Sequence, residues 1–462
     1  MKSPTRKGVE DGKIELKEEV RYWEPYIELM TKRELQALQL KRLKRMLHYV
    51  YKNSPFYKRK FDAKKVKPDD LRSLKDITKF PFTTKEDLRL NTYPYGGSLL
   101  CVPREKIICW HMTSGTTGTP TIGPYTFKDY EVWMNVMARS YTTAGVRPGD
   151  IIMNIYGYGL FTGGMGFHQS AHLIGASVIP WGVGRTEALI KTLKDYKATV
   201  MTGTPSYQYY IAEKVKEMGL DPEKDLSLRV TIPGAEIWTE LMRKRLEEAL
   251  ALKKHGGGAR DIYGATEMTG PGPGQECIYE NGFHFWTDHW YLEIIDPKTL
   301  EPVEPGEEGE MVFTHLTREG MPLIRYHQGD LTILDDEPCG CGRKAFPRCK
   351  RVRGRTDDAI HYKGVKVFPS AVQEALFKFP EIKEYQIIVD RTKPLHDIII
   401  KTEIASDMLN NEKMAMSLKD KIERELANTI YARPTVEFTS PGTLPRYEGK
   451  AKRVIIKEPS AQ

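Results

Sequence analysis

The sequence has no apolar run approaching a membrane span, which takes about 20 consecutive apolar residues. Residues 1–21 are polar, mixed in charge and without an apolar centre, so a flexible leader is expected there rather than a secretory signal or an anchor. Cysteine is scarce, six in 462 residues. With no secretory signal, that scarcity excludes a disulfide scaffold and points to a reducing, cytoplasmic setting. Internal repeats and low-complexity tracts are missing. So is any basic stripe interleaved with stacking aromatics, although the formal net charge is +8. Nucleic acid and membranes are therefore not expected partners. A positive field spread along the chain suits small polyanions instead. Neither the G-x-x-x-x-G-K-[ST] loop nor the C-x-x-C pair occurs, which excludes a Walker-type phosphate site and a thioredoxin-like redox centre.

The chain is too long for one compact core, so more than one domain is expected. From Glu187 to Glu267 helical and strand patterns alternate: EALIKTLKDY, ATVMTGTP, PSYQYYIAEKVKEMG, LRVTIPGAE, TELMRKRLEEALALKK and RDIYGATE. Such alternation predicts a largely parallel sheet covered by helices. Ligands of these sheets gather at the carboxyl ends of the strands. A Gly/Arg/Asp-rich stretch, RVRGRTDD, then precedes a second unit. It reads as strand (AIHYKG), helix (PSAVQEALFKF), two strands (EYQIIVD, DIIIKTEI), a charged helix (Glu412 to Ile430) and a last strand (TVEFTS). The expected organisation is a leader over 1–21, a large α/β domain over 22–357 and a small α+β domain over 358–462.

The chemistry-bearing signal is His111–Met112–Thr113–Ser114–Gly115–Thr116–Thr117–Gly118–Thr119–Pro120. Glycines let several backbone N–H groups turn towards one anion, and the hydroxyls add donors. The composition suits a triphosphate; the alternative is an ordinary polar turn. The segment resembles the phosphate loop of the acyl-adenylate-forming superfamily, [ST]-S-G-T-T-G-x-P, except that many members carry Lys where Thr119 stands. Further segments resemble the same superfamily in order and spacing: Gly234–Ala235–Glu236, Tyr263–Gly264–Ala265–Thr266–Glu267, Tyr326–His327–Gln328–Gly329–Asp330, Gly354–Arg355–Thr356–Asp357–Asp358 and Leu444–Pro445–Arg446–Tyr447–Glu448–Gly449–Lys450. Within it, YGYGLFTGG, GPGPGQEC, TREGMPLIRYHQGD and GVKVFPSAV resemble the phenylacetate–coenzyme A ligase family, a likeness running from about Tyr22 to Lys457.

The resemblance implies a large N-terminal α/β domain, a small mobile C-terminal domain and an active site between them. It also implies a reaction: ATP converts a carboxylic acid, phenylacetate in the first instance, to its acyl-adenylate. Coenzyme A then takes the acyl group, and AMP and pyrophosphate are released. Ser114, Gly115, Thr116, Thr117 and Gly118 would hold the β- and γ-phosphates, with Thr266 on the α-phosphate and Glu267 on Mg2+, a hard cation that takes oxygen ligands. Gly234, Ala235, Glu236, Tyr263 and Gly264 would flank the adenosine. Asp330 would accept from the ribose hydroxyls and Arg355 donate to ribose or phosphate. Lys450 would meet the charge developing in adenylation, as a compact ammonium on a long stem can. Asp357 would be the hinge, after whose rotation Gly364 and Lys366 approach the thiol. Tyr158, Phe161, Gly163, Gly164, Ala235 and Pro271 would line the acid pocket, aromatic and glycine residues together making a slot for a flat ring. A homodimer is the family expectation. Relatives that adenylate another acceptor, such as a deazaflavin cofactor, share these motifs, and indoleacetate or benzoate would need only small changes in the pocket.

One motif is not absorbed by that chemistry. Cys339 and Cys341 sit in a Gly-rich turn, and Cys277 and His284 flank another. Three thiolates and an imidazole make a closed tetrahedral set typical of structural Zn2+, with Cys349 as a substitute ligand. The alternative is a set of buried free thiols.

Overall fold

A computed structural model describes residues 19–113, 120–356, 358–362, 365–392, 397–447 and 451–457. Two strands, β1 (Ile107–Met112) and β2 (Ile122–Thr126), pair as an antiparallel hairpin around the Ser114–Thr119 segment. The helix Phe127–Thr143 follows directly. Thr126 caps it in a capping box with Asp129, which satisfies N–H groups that a helix start leaves without partners. Its inner face buries Trp133, Met137 and Tyr141.

The predicted parallel sheet is present. It comprises β3 (Ile151–Asn154), β4 (Ser177–Pro180), β5 (Val200–Gly203), β6 (Val230–Pro233) and β7 (Gly258–Ala259), in the order β4-β3-β5-β6-β7. Both β5 and β6 are buried at every residue, as strands covered by helices on both faces must be. The helices Thr186–Asp195, Pro205–Glu217 and Glu240–Ala249 connect them. Two expectations are corrected here. The helix predicted over TELMRKRLEEALALKK ends at Ala249, because Ala251 turns to a positive φ of 54° while Leu250 and Leu252 go into the core. The strand predicted over RDIYGATE is β8 (Ile262–Ala265) and belongs to a different sheet from the parallel one; β7 ends before it at Ala259, and the chain leaves the parallel sheet at Arg260, whose buried guanidinium donates to the Ala144 carbonyl.

A second sheet was not anticipated. β8 begins an eight-stranded antiparallel array with β9 (Gly270–Glu276), β10 (Phe283–Phe285), β11 (Trp290–Ile295), β12 (Glu308–His315), β13 (Tyr326–Asp335), β14 (Arg348–Cys349) and β15 (Gly354–Arg355). The order is β11-β12-β13-β14-β10-β9-β8, with β15 on β13. The sheets meet where Gly234, just past β6, bridges in parallel to Ile262 of β8. Only glycine allows this approach, since a Cβ there would lie 2.7 Å from the Ile262 carbonyl oxygen.

Beyond Asp357, which lies outside the described residues, comes a smaller α+β unit. A hairpin of β16 (Ile360–Tyr362) and β17 (Val365–Val367) leads to the helix Pro369–Leu376. The strands β18 (Tyr385–Asp390), β19 (Asp397–Glu403), β20 (Thr435–Thr439) and β21 (Val454–Lys457) form a sheet in the order β20-β19-β18-β21, backed by the helix Glu412–Ile430. TVEFTS is thus not the last strand: β21 follows it and pairs in parallel with β18. This unit packs on the helices of the parallel sheet. The Phe377 ring lies 6.4 Å from that of Tyr209, and the Phe377 carbonyl accepts from Arg245.

Candidate active site

The two sheets bring one polar cluster together. Asp330 on β13 faces Arg355 on β15 across the ladder, and their side chains form an ion pair at 3.2 Å. The other carboxylate oxygen of Asp330 accepts the hydroxyl of Tyr263, from β8. Burial, and then the Asp330 charge, push the Tyr263 phenol well above its usual range, so it acts as a donor here. Phe283 stacks on Tyr263 at 5.2 Å and fixes its ring. The buried Asp330 carboxylate is therefore held at both oxygens.

Gly264 lets β8 and β9 close tightly, since a Cβ there would stand 2.2 Å from the Gly270 carbonyl oxygen. The chain then turns through Thr266–Met268. Thr266 lies against β2, where a Cβ on Gly123 would be 3.0 Å from its methyl. The carboxyl of half-buried Glu267 is raised, mainly by burial, with Arg355 and Lys85 opposing. A carboxylate oxygen held partly out of water is a hard donor of the kind Mg2+ takes, and a bound cation would relieve that desolvation.

Ser114, Gly115, Thr116, Thr117, Gly118, Gly364 and Lys450 lie, like Asp357, outside the described residues. The stems of the Ser114–Thr119 segment are described. Thr113 and Thr121 exchange two hydrogen bonds of 3.0 Å. The Leu160 carbonyl accepts the Met112 N–H at 3.1 Å and faces His111 Nδ1 at 3.1 Å, joining the hairpin to the segment that carries Tyr158 and Phe161.

Those residues sit at the carboxyl end of β3. Tyr158 Oη receives the Asn154 amide at 2.7 Å and lies 3.0 Å from His168 Nδ1. Asn154 also donates to the Gly164 carbonyl at 2.9 Å. Gly163 and Gly164 serve the helix Thr162–Leu173. Side chains there would meet the Tyr156 ring at 3.3 Å and the Gly157 carbonyl oxygen at 2.5 Å. Phe161 is half exposed at the helix start, and the Pro271 carbonyl accepts the Trp133 indole N–H at 3.1 Å. Asn154 and His168 were not picked out from sequence. The legible signal was a polar residue closing an otherwise apolar strand, IIMN.

Ala235 is exposed at a φ of 68° just past β6. The next residue, Glu236, turns away from it. Its carboxylate accepts the Ser206 hydroxyl at 2.7 and 2.9 Å and the Ala451 backbone N–H of the small C-terminal unit. Glu236 was expected beside the adenosine; among the described residues its carboxylate is bonded to Ser206 and to Ala451, 215 positions along the chain. Lys366 stands exposed on β17.

Remote from this cluster, Cys277, His284, Cys339 and Cys341 are buried together, with one potential ligand atom from each lying within 4.8 Å of all the others. Cys349 does not join them. It pairs with Phe283 on the β10–β14 ladder and packs into a separate core with Phe283 and Trp286, which removes it as a substitute ligand.

A parallel sheet covered by helices, an antiparallel sheet that carries the Tyr263–Asp330–Arg355 cluster, and a small α+β unit packed on the large one make the arrangement of an adenylate-forming enzyme. Residues 32–316 match the AMP-binding enzyme family, and residues 364–457 match the AMP-binding enzyme C-terminal domain. The phenylacetate–coenzyme A ligase of Thermus thermophilus is 41% identical over 449 residues, 94% of this chain and 99% of the relative. Among solved structures, a 2-hydroxyisobutyryl-CoA ligase in its postadenylation state superposes with a TM-score of 0.87 at 28% identity, covering 94% of this chain and 92% of that one. The same ligase in its thioesterification state gives 0.69 at 29% identity, over 95% and 92%. The chain belongs to the phenylacetate–coenzyme A ligase family of AMP-forming acid–coenzyme A ligases.

Proposed function

We propose that this ligase activates phenylacetate or a close aryl acid, and that the arrangement described here is the one that carries out adenylation. The observation that carries the second part is the hydrogen bond from Ala451 to Glu236, which ties the residue following Lys450 to the end of β6. The higher TM-score to the postadenylation state supports it.

In this reading Asp330 accepts both ribose hydroxyls, and its bonds to Tyr263 and Arg355 keep it oriented before ATP arrives. Such preorganisation spares reorganisation during the reaction. Ser114, Gly115, Thr116, Thr117 and Gly118 cradle the β- and γ-phosphates, Thr266 contacts the α-phosphate and Glu267 holds Mg2+. The metal, when bound, neutralises phosphate charge. Lys450 donates to the α-phosphate and the attacking carboxylate; one such preorganised donor is worth about 3–4 kcal/mol of barrier. Gly234, Ala235 and Gly264 bring bare or nearly bare backbone up to the adenosine. Tyr158, held by Asn154, closes the acid pocket with Phe161, Gly163, Gly164 and Pro271.

After pyrophosphate leaves, rotation of the small domain (358–462) about Asp357 breaks the Ala451–Glu236 bond and brings Gly364 and Lys366 to the coenzyme A thiol. This is hinge closure serving two reactions at one site. A reducing cytoplasm is the proposed setting, in keeping with six cysteines that are not joined in disulfides. Assembly as a homodimer, the family expectation, is proposed with it. The test is acyl-CoA formation by mass spectrometry across an acid panel. Thioester from phenylacetate is expected. Thioester only from short alkyl acids would overturn the substrate class, and an adenylylated product with no thioester would favour another acceptor.

A further inference from the structure

The reaction makes no use of the Cys277, His284, Cys339 and Cys341 group. The four come from three places on one side of the antiparallel sheet. Cys277 directly follows β9, His284 lies on β10, and Cys339 and Cys341 sit in the turn before β14. All four are buried. Tetrahedral metal–sulfur bonds of about 2.3 Å imply sulfur–sulfur edges of about 3.8 Å, and a sulfur–nitrogen edge of about 3.5 Å. The Cys277 and Cys339 sulfurs are 3.7 Å apart, and Cys341 Sγ is 3.2 Å from His284 Nε2. The thiols are unbonded to one another, so a disulfide does not explain their approach.

The group is also closed. Each residue contributes one atom to a common centre, which leaves no position for a substrate or water, unlike a catalytic zinc site. Three thiolates and an imidazole select a soft, tetrahedral divalent ion. A stack on Trp286, at 6.4 Å and 12° between planes, orients the His284 ring, whose Nδ1 finds no hydrogen-bond partner among the described residues.

We propose that Cys277, His284, Cys339 and Cys341 hold one Zn2+ as a closed structural site that locks the first described segment of the chain onto the large domain. The Cys341 carbonyl accepts the Tyr22 hydroxyl at 2.6 Å. Two residues on, the fully buried Arg343 pairs with the fully buried Glu28 at 2.6 Å and donates to the Arg21 carbonyl at 2.6 Å. Glu28 in turn accepts the N–H groups of Trp23 and Glu24 at 2.7 Å. The turn carrying two ligands thus carries the anchor for residues 21–28. The hairpin carrying the other two bears Phe283, the ring stacked on Tyr263 beside Asp330. A metal here fixes both without touching a reactant, and because the ligands bind as thiolates its binding free energy adds to folding.

The test is metal analysis of the full-length protein, produced in zinc-containing medium and purified without chelator. One zinc per chain is expected, retained in Cys349→Ser and lost in Cys341→Ser. Should Cys341→Ser fail to fold, Co2+ exchange into the wild-type protein gives a second readout, the intense visible absorption of tetrahedral cobalt thiolate. Stripping the metal is expected to lower the melting temperature and to open the chain to protease near residues 19–30, both reversed by added Zn2+. Wild-type protein that folds with six titratable thiols, no bound metal and no cobalt spectrum would overturn the site. Zinc retained by Cys341→Ser but lost by Cys349→Ser would overturn the ligand set. Metal loss that leaves the 19–30 region protected would overturn the lock.

Discussion

Replacing Glu236 by Gln tests whether the small domain is latched for adenylation. The carboxylate accepts two short contacts from the Ser206 hydroxyl and one from the Ala451 N–H. Hydrogen bonds to a charged acceptor contribute about 1.5–3 kcal/mol against about 0.5–1.5 for neutral ones, so the neutral amide should weaken the bond to Ala451 by about 1–1.5 kcal/mol. That shifts the docking equilibrium by about 5- to 12-fold, taking 1.4 kcal/mol as tenfold. The assay separates the half-reactions: pyrophosphate release without coenzyme A, and thioester formation from supplied acyl-adenylate. Adenylation should slow by up to the docking factor while thioester formation holds or rises, with KM for ATP unchanged. An equal fall in both half-reactions would refute the latch. A raised KM for ATP with an unaltered rate would return Glu236 to the adenosine.

Other consequences follow from the same contacts. Asp330→Asn removes a charged acceptor from the ribose site, so kcat/KM for ATP should fall about 10- to 150-fold, the equivalent of about 1.5–3 kcal/mol, in the pyrophosphate assay. Glu213 lies under the small domain facing Arg446, Lys383, Glu384 and Glu217, and burial raises its carboxyl to about 7. A raised carboxyl stabilises the packed state below its unfolded value near 4.5, and that contribution is lost as pH rises towards 7. Docking, followed by fluorescence transfer between the two domains, should therefore weaken over that window in wild type, and Glu213→Gln should flatten the dependence. Gly264→Ala would force a Cβ to 2.2 Å from the Gly270 carbonyl oxygen. Backbone cannot yield as a side-chain tip can, so a loss of about 1–3 kcal/mol or more is expected in denaturant unfolding.

The parallel sheet was legible because β5 and β6 are short apolar runs between amphipathic helices, a pattern set by burial on both faces. The antiparallel sheet was not. Its strand β9 reads GPGPGQE, whose glycines and prolines signal turns in isolation and become a strand only through neighbours far along the chain. Strands of two residues, such as β14 and β15, carry no periodicity at all. Within the site, Tyr263, Asp330 and Arg355 stood in local motifs and were each read as a nucleotide contact; the ion pair and hydrogen bond that join them came only with the fold. The partners that orient the site could not. Asn154, His168 and Ser206 act through tertiary contacts, and the Glu236–Ala451 bond spans 215 positions. The cysteine set was legible as a ligand inventory, but only the fold separated Cys341 from Cys349.

The most direct test of the central claim is the product stoichiometry of wild type and Lys450→Ala with ATP, Mg2+, coenzyme A and phenylacetate. The account predicts one AMP, one pyrophosphate and one phenylacetyl thioester per turnover. It also predicts a loss of adenylation in Lys450→Ala by about 10²–10³, as for removal of one preorganised donor. ADP and phosphate as products, or full adenylation without Lys450, would contradict it.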